Sequence, residues 1–213
     1  MILYHGSEKE IIKPLFGEGN PTNDYGLGFY LTKDKKVGEL WASKYKQDGY
    51  LMSYSMNLDS LKVLTLDSAS EEDVLKWITI LIKNRFDKEA RISNKETIDW
   101  LTKHFDVDIN SYDVIVGYRA DDSYFAYSKA FVEDSLSFES LTEAMKIGKL
   151  GKQYVLISKE AFKSIKHTKT TRITKSNDYA IFRDKTLREY HEIKNNDSIR
   201  NTYIRDIIRR YGN

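Results

Sequence analysis

The sequence lacks cysteine altogether and contains only 2 prolines among its 213 residues. Without cysteine there can be no disulfide bond, no thiolate zinc site and no cysteine nucleophile. No apolar run approaches the roughly 20 residues that a membrane-spanning helix needs. The first residues are too few and too polar to form a signal peptide. We therefore expect a cytoplasmic protein with no membrane partner.

An excess of charge of one sign is also lacking. The 34 Lys and Arg side chains face 32 Asp and Glu side chains, which leaves a formal net charge of +2. The protein as a whole is therefore no polycation. A chain of 213 residues can bury a substantial core and suits one domain, with room for an appendage.

Three short motifs lie near the start of the chain: L-Y-H-G-S at residues 3–7, D-Y-G-L-G-F-Y-L-T at residues 24–32 and E-L-W-A at residues 39–42. The first predicts a strand that opens into a loop at His5, where Gly6 lets a ligand approach the backbone. The second predicts a buried strand behind a glycine-shaped turn. The third belongs to a helix predicted over residues 35–44, which carries Trp41.

Each of these motifs also has a purely structural interpretation. A histidine at a strand end is commonly a satisfied structural side chain, and the G-x-G of Gly26 and Gly28 is commonly a turn or a bulge. This G-x-G lacks the third glycine and the strand–turn–helix context of a dinucleotide fingerprint, which excludes a Rossmann site. The functional interpretation therefore depends on the motifs taken together.

The rest of the chain predicts an α+β fold, because alternating segments occur among segments with apolar residues three and four apart. The predicted strands cover residues 50–58, 61–66, 112–117 and 151–158. The predicted helices cover residues 71–86, 95–105, 137–147, 159–165, 178–194 and 197–211. Trp77 and Trp100 fall in two of these helices, and we expect both to pack in the core.

A polar cluster, Arg119-Ala120-Asp121-Asp122, follows the strand predicted over residues 112–117. In the structural interpretation, Asp121 or Asp122 caps a helix that runs through Val132. In the functional interpretation, one of these aspartates is a base that deprotonates an acceptor. Arg119 then binds a diphosphate or an acidic group of the target.

The composition changes after residue 170, and Arg and Lys outnumber Asp and Glu from there to the end of the sequence. We expect residues 1–170 to form one domain and residues 171–213 to form a basic helical extension packed on it. The cationic side chains are explained by a solvated surface. They are also explained by a surface for nucleic acid or for an acidic partner such as an antitoxin.

In order and spacing, the His-Gly-Ser motif, the Tyr-Gly-x-Gly-x-Tyr motif and the helical tryptophan resemble the H-Y-E branch of the ADP-ribosyltransferases, which includes diphtheria toxin and the poly(ADP-ribose) polymerases. To about residue 165 the chain more closely resembles a bacterial family of unknown function, DUF3990, that is grouped with this superfamily. The resemblance implies an ADP-ribosyltransferase-like split β-sandwich core with inserted helices and a helical C-terminal segment. It also implies that NAD binds as co-substrate in a cleft between two small sheets, with no metal.

The resemblance further implies roles for individual residues. His5 hydrogen-bonds the adenosine ribose of NAD, the Gly6 backbone holds the nicotinamide carboxamide, and Ser7 assists from the same turn. Tyr30 and Trp41 sandwich the nicotinamide ring.

The third catalytic position of the H-Y-E branch is usually a glutamate, and the matching residue here is Gln153. Glutamine can hydrogen-bond the 2′-hydroxyl of the nicotinamide ribose, but it carries no negative charge and is no base. We therefore expect transfer of a single ADP-ribose unit rather than chain elongation, with charge supplied by an aspartate of the polar cluster or by Glu160. As a structural alternative, Gln153 is an ordinary polar residue of an edge strand.

The resulting hypothesis is an NAD-dependent mono-ADP-ribosyltransferase, an intracellular bacterial toxin that modifies a nucleic acid or a protein and that an antitoxin neutralises. Two alternatives remain open at this point. One is a degenerate transferase fold that binds NAD or a protein without catalysis, which Gln153 favours. The other is an NAD glycohydrolase, which uses water as the acceptor.

Overall fold

The computed structural model describes residues 1–44, 47–120, 122–146, 151–198 and 200–212, and for residues 122–124 and 146 it describes the backbone. The fold is α+β, as predicted. The strands are β1 Ile2–Ser7, β2 Phe29–Thr32, β3 Gly49–Met56, β4 Val63–Thr65, β5 Val114–Tyr118, β6 Lys152–Leu156 and β7 Ile165–Ile173. The helices are α1 Lys35–Ala42, α2 Glu71–Arg85, α3 Lys88–Ser93, α4 Lys95–Phe105, α5 Asp122–Val132, α6 Phe138–Lys146, α7 Lys159–Ser164, α8 Asp178–Asn196 and α9 Ile204–Tyr211.

The strands form one seven-stranded sheet in the order β4-β5-β6-β2-β1-β3-β7. Strands β4 and β5 are parallel, and the other neighbours are antiparallel. The centre of the sheet is weakly joined, because β1 and β2 share one registered pair in the described chain, Tyr4 with Thr32. Beyond that pair, β1 continues along β3 and β2 continues along β6. The sheet is therefore continuous, but its two halves separate at β1 and β2.

Helix α1 packs against the separated end of β1. Asp34 caps the helix, since its carboxylate accepts hydrogen bonds from the backbone N–H groups of Lys36 (2.8 Å) and Val37 (3.4 Å). A Cβ atom on Gly6 would lie 2.6 Å from the backbone nitrogen of Ala42 and 2.9 Å from Cβ of Trp41. Because Gly6 has no side chain, the helix can lie on the strand and bring Trp41 beside it.

Two apolar clusters hold the fold together. The larger one joins helices α2, α4, α5, α6 and α9 to the sheet, and the smaller one lies around β2, β3 and β6. Trp77 is 1% exposed and Trp100 is 7% exposed, which confirms the prediction that both pack in the core. Their indole nitrogens donate to the carbonyl oxygens of Tyr118 and Gly212, each at 3.1 Å.

The C-terminal part contributes to the same sheet and core. Strand β7, which the sequence did not predict, pairs with β3. Helix α9 buries Ile204 and Ile207, but it begins later than the predicted residue 197. The reason is that the Asp197 carboxylate accepts hydrogen bonds from Ser137 N (2.9 Å) and Ser140 Oγ (2.7 Å), which anchors a loop at the start of α6. Strand β7 runs across residue 170, and the division into domains there stays a prediction.

Candidate functional site

A cavity of about 780 Å³ opens where β1 and β2 separate. Ligand-binding cavities in proteins commonly have volumes of roughly 300–1,000 Å³. Its wall is built from the loop of residues 8–28, the end of β1, the start of β2, helix α1, the chain after β5 and the start of β6. It includes seven of the predicted site residues: His5, Gly6, Ser7, Tyr30, Trp41, Arg119 and Gln153.

His5 connects the two halves of the sheet beyond the last registered pair. Its Nδ1 lies 2.7 Å from the backbone oxygen of Tyr30, and since a carbonyl oxygen only accepts, Nδ1 carries the hydrogen. Burial lowers the pKa of His5 below its usual range, which favours the neutral ring. The ring lies 4.5 Å from that of Phe29. His5 is therefore held in one orientation, with Nε2 as a hydrogen-bond acceptor.

The Tyr30 hydroxyl is used by the turn that precedes β2. It donates to the carbonyl oxygen of Gly26 (2.7 Å) and accepts from the backbone N–H of Tyr25 (3.1 Å). Burial, together with the nearby negative charge of Asp24, raises the pKa of Tyr30 well above its usual range. The hydroxyl is therefore neutral and structural, and the Tyr30 ring is the part that suits ligand contact.

Trp41 and Arg119 form a stacked pair on the cavity wall. The guanidinium carbon of Arg119 lies 4.8 Å from the centre of the Trp41 ring, within the range of a cation–π interaction. The indole Nε1 of Trp41 is buried and has no hydrogen-bond partner among the described residues. This part of the wall therefore presents a cation, whereas the unused N–H donor is enclosed by protein atoms.

A buried carboxylate, Asp24, connects four segments at the inner end of the cavity, and no role was predicted for it from the sequence. Its Oδ1 accepts from Arg85 at 2.7 Å. Its Oδ2 accepts from the backbone N–H of Ala120 at 2.8 Å and from Gln153 Nε2 at 3.0 Å. Burial raises the pKa of Asp24, and the Arg85 guanidinium opposes this effect. The Asp24 carboxylate thus positions the start of β6 and the chain after β5.

The remaining predicted residues lie elsewhere or outside the description. Gln153 is 4% exposed and faces Asp24 with its amide nitrogen, so it is not an ordinary edge-strand residue. Asp121 lies outside the described residues, and Asp122 is described only as the backbone at the start of α5. Glu160 is exposed on α7 and pairs with Lys163 at 3.1 Å, so it is not the source of charge in the cavity.

The C-terminal part also reaches the cavity. Tyr179 of α8 lies in its wall, and the Lys44 ammonium lies 5.6 Å from the centre of the Tyr179 ring.

Within the described ranges, no group of three or more His, Asp and Glu side chains is arranged to hold a metal ion. No helix in those ranges is long and apolar enough to cross a bilayer.

Comparisons with known proteins place the chain in a family. No curated protein and no solved structure matches it. Residues 1–167 match the family model described as "Protein of unknown function (DUF3990)". The match covers well over half of the chain and includes every predicted site residue, whereas Tyr179 lies beyond it. The chain therefore belongs to the DUF3990 family.

Proposed function

We propose that this protein is an NAD-dependent mono-ADP-ribosyltransferase of the H-Y-E branch, with the split-sheet core of that superfamily. One observation carries the proposal. His5 of β1, Tyr30 of β2 and Gln153 of β6 stand far apart in sequence, yet they line one cavity of about 780 Å³ at the separation of the two half-sheets.

The cavity wall offers groups that suit the parts of NAD. The neutral His5 Nε2 accepts a hydrogen bond from a ribose hydroxyl, and the Gly6 backbone holds the nicotinamide carboxamide. The rings of Tyr30 and Trp41 contact the nicotinamide, and each such contact contributes about 1 kcal/mol. Arg119 pairs with the diphosphate, whose negative charge suits a guanidinium.

In the proposed reaction, the bond between the nicotinamide nitrogen and C1′ of its ribose breaks. The electron pair moves into the pyridinium ring, so nicotinamide leaves neutral and needs no proton. A nucleophilic atom of the acceptor bonds to C1′, and its proton passes to solvent or to a base. The protein's task is to hold a ribose that becomes partly cationic and to align the acceptor with it.

The acceptor we propose is a nucleic acid or a protein, and the biological role is that of an intracellular bacterial toxin with an antitoxin. The excess of Arg and Lys over Asp and Glu in residues 171–213 is what supports a polyanionic acceptor or partner. The support is confined to the sequence, because the arginines of α9 are paired with Asp134, Asp206 and Glu71. Transfer of a single unit is supported by Gln153, because it is neutral and its amide is bonded to Asp24.

To test this, NAD labelled on its adenylate half is incubated with the purified protein and with added cell lysate, protein or RNA, and the release of nicotinamide and the fate of the label are measured. Nicotinamide release with transfer of label to a macromolecule is the expected result, and nuclease or protease digestion then identifies the acceptor. Nicotinamide together with free ADP-ribose would instead indicate a glycohydrolase. Saturable NAD binding without nicotinamide release would indicate a binding module.

A further inference from the structure

Asp24 and Gln153 form a buried pair, and their chemistry determines which end of the Gln153 side-chain amide faces Asp24. A carboxylate accepts hydrogen bonds, whereas a carboxamide donates from its nitrogen and accepts at its oxygen. Gln153 must therefore turn Nε2 toward Asp24, and the distance from Nε2 to Oδ2 is 3.0 Å. Arg85 and the Ala120 N–H hold the carboxylate in place at 2.7 Å and 2.8 Å.

The other end of the amide is free to act on a ligand. Gln153 lies in the cavity wall, and its Oε1 has no hydrogen-bond partner among the described residues. Oε1 is also not one of the fully enclosed polar atoms without a partner. The carbonyl oxygen is therefore the part of Gln153 that is available from the cavity.

The same pair explains why a glutamate does not suit position 153. A carboxylate there would stand where the Gln153 nitrogen now lies, 3.0 Å from Asp24 Oδ2 in a buried site. Two carboxylates at that distance cannot both stay ionised, because like charges raise each other's pKa. The charged residue of the pair is Asp24, which Arg85 contacts at 2.7 Å, and Gln153 is its neutral partner.

We propose that Asp24 is a positioning residue, which holds the Gln153 carbonyl toward the cavity so that it accepts from a ribose hydroxyl and faces the ribose carbon that becomes cationic. The identity of the ribose rests on the proposed function. A carbonyl oxygen carries partial negative charge, and a fixed dipole aimed at developing charge lowers the barrier to reaction. If the amide were reversed, its N–H groups would face the cationic ribose instead.

The test is a double-mutant cycle on the full chain, with nicotinamide release from NAD as the readout. Asp24→Asn keeps the side-chain shape and can donate from Nδ2 to position 153, which allows the Gln153 amide to reverse. That Nδ2 no longer accepts the hydrogen bond from the Ala120 N–H. We expect kcat to fall about tenfold or more, with a smaller change in KM, because the interaction strengthens as charge develops. Gln153→Glu alone should also lower kcat, because it places a second carboxylate next to that of Asp24.

The combined variant distinguishes positioning from a structural role. With both substitutions, an amide at position 24 again faces an acceptor at position 153, and a carboxylate oxygen faces the ribose. We expect the kcat of the combined variant to be at least about tenfold higher than multiplication of the two single losses would give, even though the Ala120 N–H lacks its acceptor in both variants that carry Asp24→Asn. If the two losses multiply instead, the proposal is overturned. Asp67→Asn is the matched control, since Asp67 is an exposed carboxylate paired with Lys152 at 3.1 Å, and kcat should not change.

A second measurement needs no NAD. In the wild type, the Gln153 side-chain amide protons should exchange slowly with solvent, as followed by NMR, and Asp24→Asn should remove this protection. Fast exchange in the wild type would overturn the orientation of the amide. If the wild type shows slow exchange but releases no nicotinamide from NAD, the orientation of the Gln153 amide is upheld. The proposed function is then overturned, and the ribose ligand with it.

Discussion

The guanidinium of Arg119 covers one face of the Trp41 indole, with 4.8 Å between its central carbon and the ring centre. A nicotinamide that stacks on Trp41 must therefore use the opposite face or displace Arg119. The indole N–H has no partner among the described residues. That N–H is also enclosed by protein atoms, so an anionic group would meet the Arg119 guanidinium and not the indole N–H. The pair is therefore better suited to an anion at Arg119 than to a ring inserted between the two side chains.

We expect Arg119→Gln to raise the Kd for NAD about tenfold or more, because it removes charged hydrogen bonds to the diphosphate. Arg119→Lys should give an intermediate Kd, since lysine keeps the charge but loses the planar fork. Isothermal titration calorimetry at low and high salt would measure both. Arg188→Gln, at an exposed position of α8, is the control and should leave the Kd unchanged. Equal Kd values for Arg119→Gln and the wild type would exclude Arg119 from the NAD site.

The contact between β1 and α1 predicts that Gly6→Ala destabilises the protein. The added methyl group would overlap the Gly38 carbonyl oxygen and lie 2.6 Å from the Ala42 backbone nitrogen, so helix α1 would have to move away from the strand. We expect the free energy of unfolding to fall by about 1–3 kcal/mol, as overpacking commonly causes. Urea denaturation measures this loss. Ser7→Ala, one residue along the same strand, should change the value by less than about 0.5 kcal/mol. An unchanged midpoint for Gly6→Ala would show that the helix yields without cost.

Two substitutions at Tyr30 separate the hydroxyl from the ring. Tyr30→Phe removes the hydrogen bonds to Gly26 and Tyr25, so the free energy of unfolding should fall by about 1–3 kcal/mol while NAD still binds. Tyr30→Ala removes the ring as well and should weaken NAD binding further. Thermal unfolding and calorimetry on both variants give the comparison. Loss of NAD binding in a folded Tyr30→Phe protein would assign the hydroxyl, rather than the ring, to ligand contact.

The lowered pKa of His5 predicts that stability depends on pH. Below the ordinary histidine value of 6.5, the unfolded chain takes up a proton that the buried ring resists. The free energy of unfolding should therefore fall as the pH drops from about 6.5 toward the pKa of the folded state, by at most about 1.4 kcal/mol per pH unit. The contribution of the neutral, buried His5 ring to stability is fully present above pH 6.5.

Denaturation curves of the wild type and two variants, measured between pH 5 and 8 at intervals of about half a pH unit, would test this dependence. His5→Asn keeps a donor for the Tyr30 carbonyl but does not titrate, and its stability should depend less on pH. His191→Asn, at an exposed position of α8, should behave as the wild type. If His5→Asn retains the full pH dependence, then His5 is not its source.

Local periodicity determined how much of the fold could be predicted. Helix α4 occurs over residues 95–105 as predicted, because its apolar side chains recur at helical spacing. Strand β7 was missed because it is an edge strand whose exposed positions carry lysine and threonine. The register of β7 against β3 also shifts between Ser53 and Tyr54, which breaks its alternation. The short helix α3, Lys88–Ser93, lacks the length that a period needs.

In the cavity, the sequence identified residues within short motifs but not the ion pair that supports them. Asp24 and Arg85 lie 61 positions apart, and Asp24 and Gln153 lie 129 positions apart. Arg85 stands at the end of an amphipathic helix, where a cation is already explained by the helix dipole. Pairing across such separations leaves no periodic signal, so Gln153 was predicted as a ligand contact without the carboxylate that orients it.

Because β1 and β2 share a single registered pair, the width of the cavity does not depend on the strand ladders that stabilise the fold. The ladders that β1 forms with β3 and β2 forms with β6 are complete on either side. At the gap itself, one imidazole replaces the backbone bonds that would otherwise set the strand spacing. Substitutions at exposed cavity-lining positions such as Glu8, Glu18 and Asn20 can therefore change which molecule fits without disturbing the hydrophobic interior, unlike substitutions at Gly6 or Tyr30. Such an arrangement allows the mouth of the cavity to vary while the framework of the fold is kept.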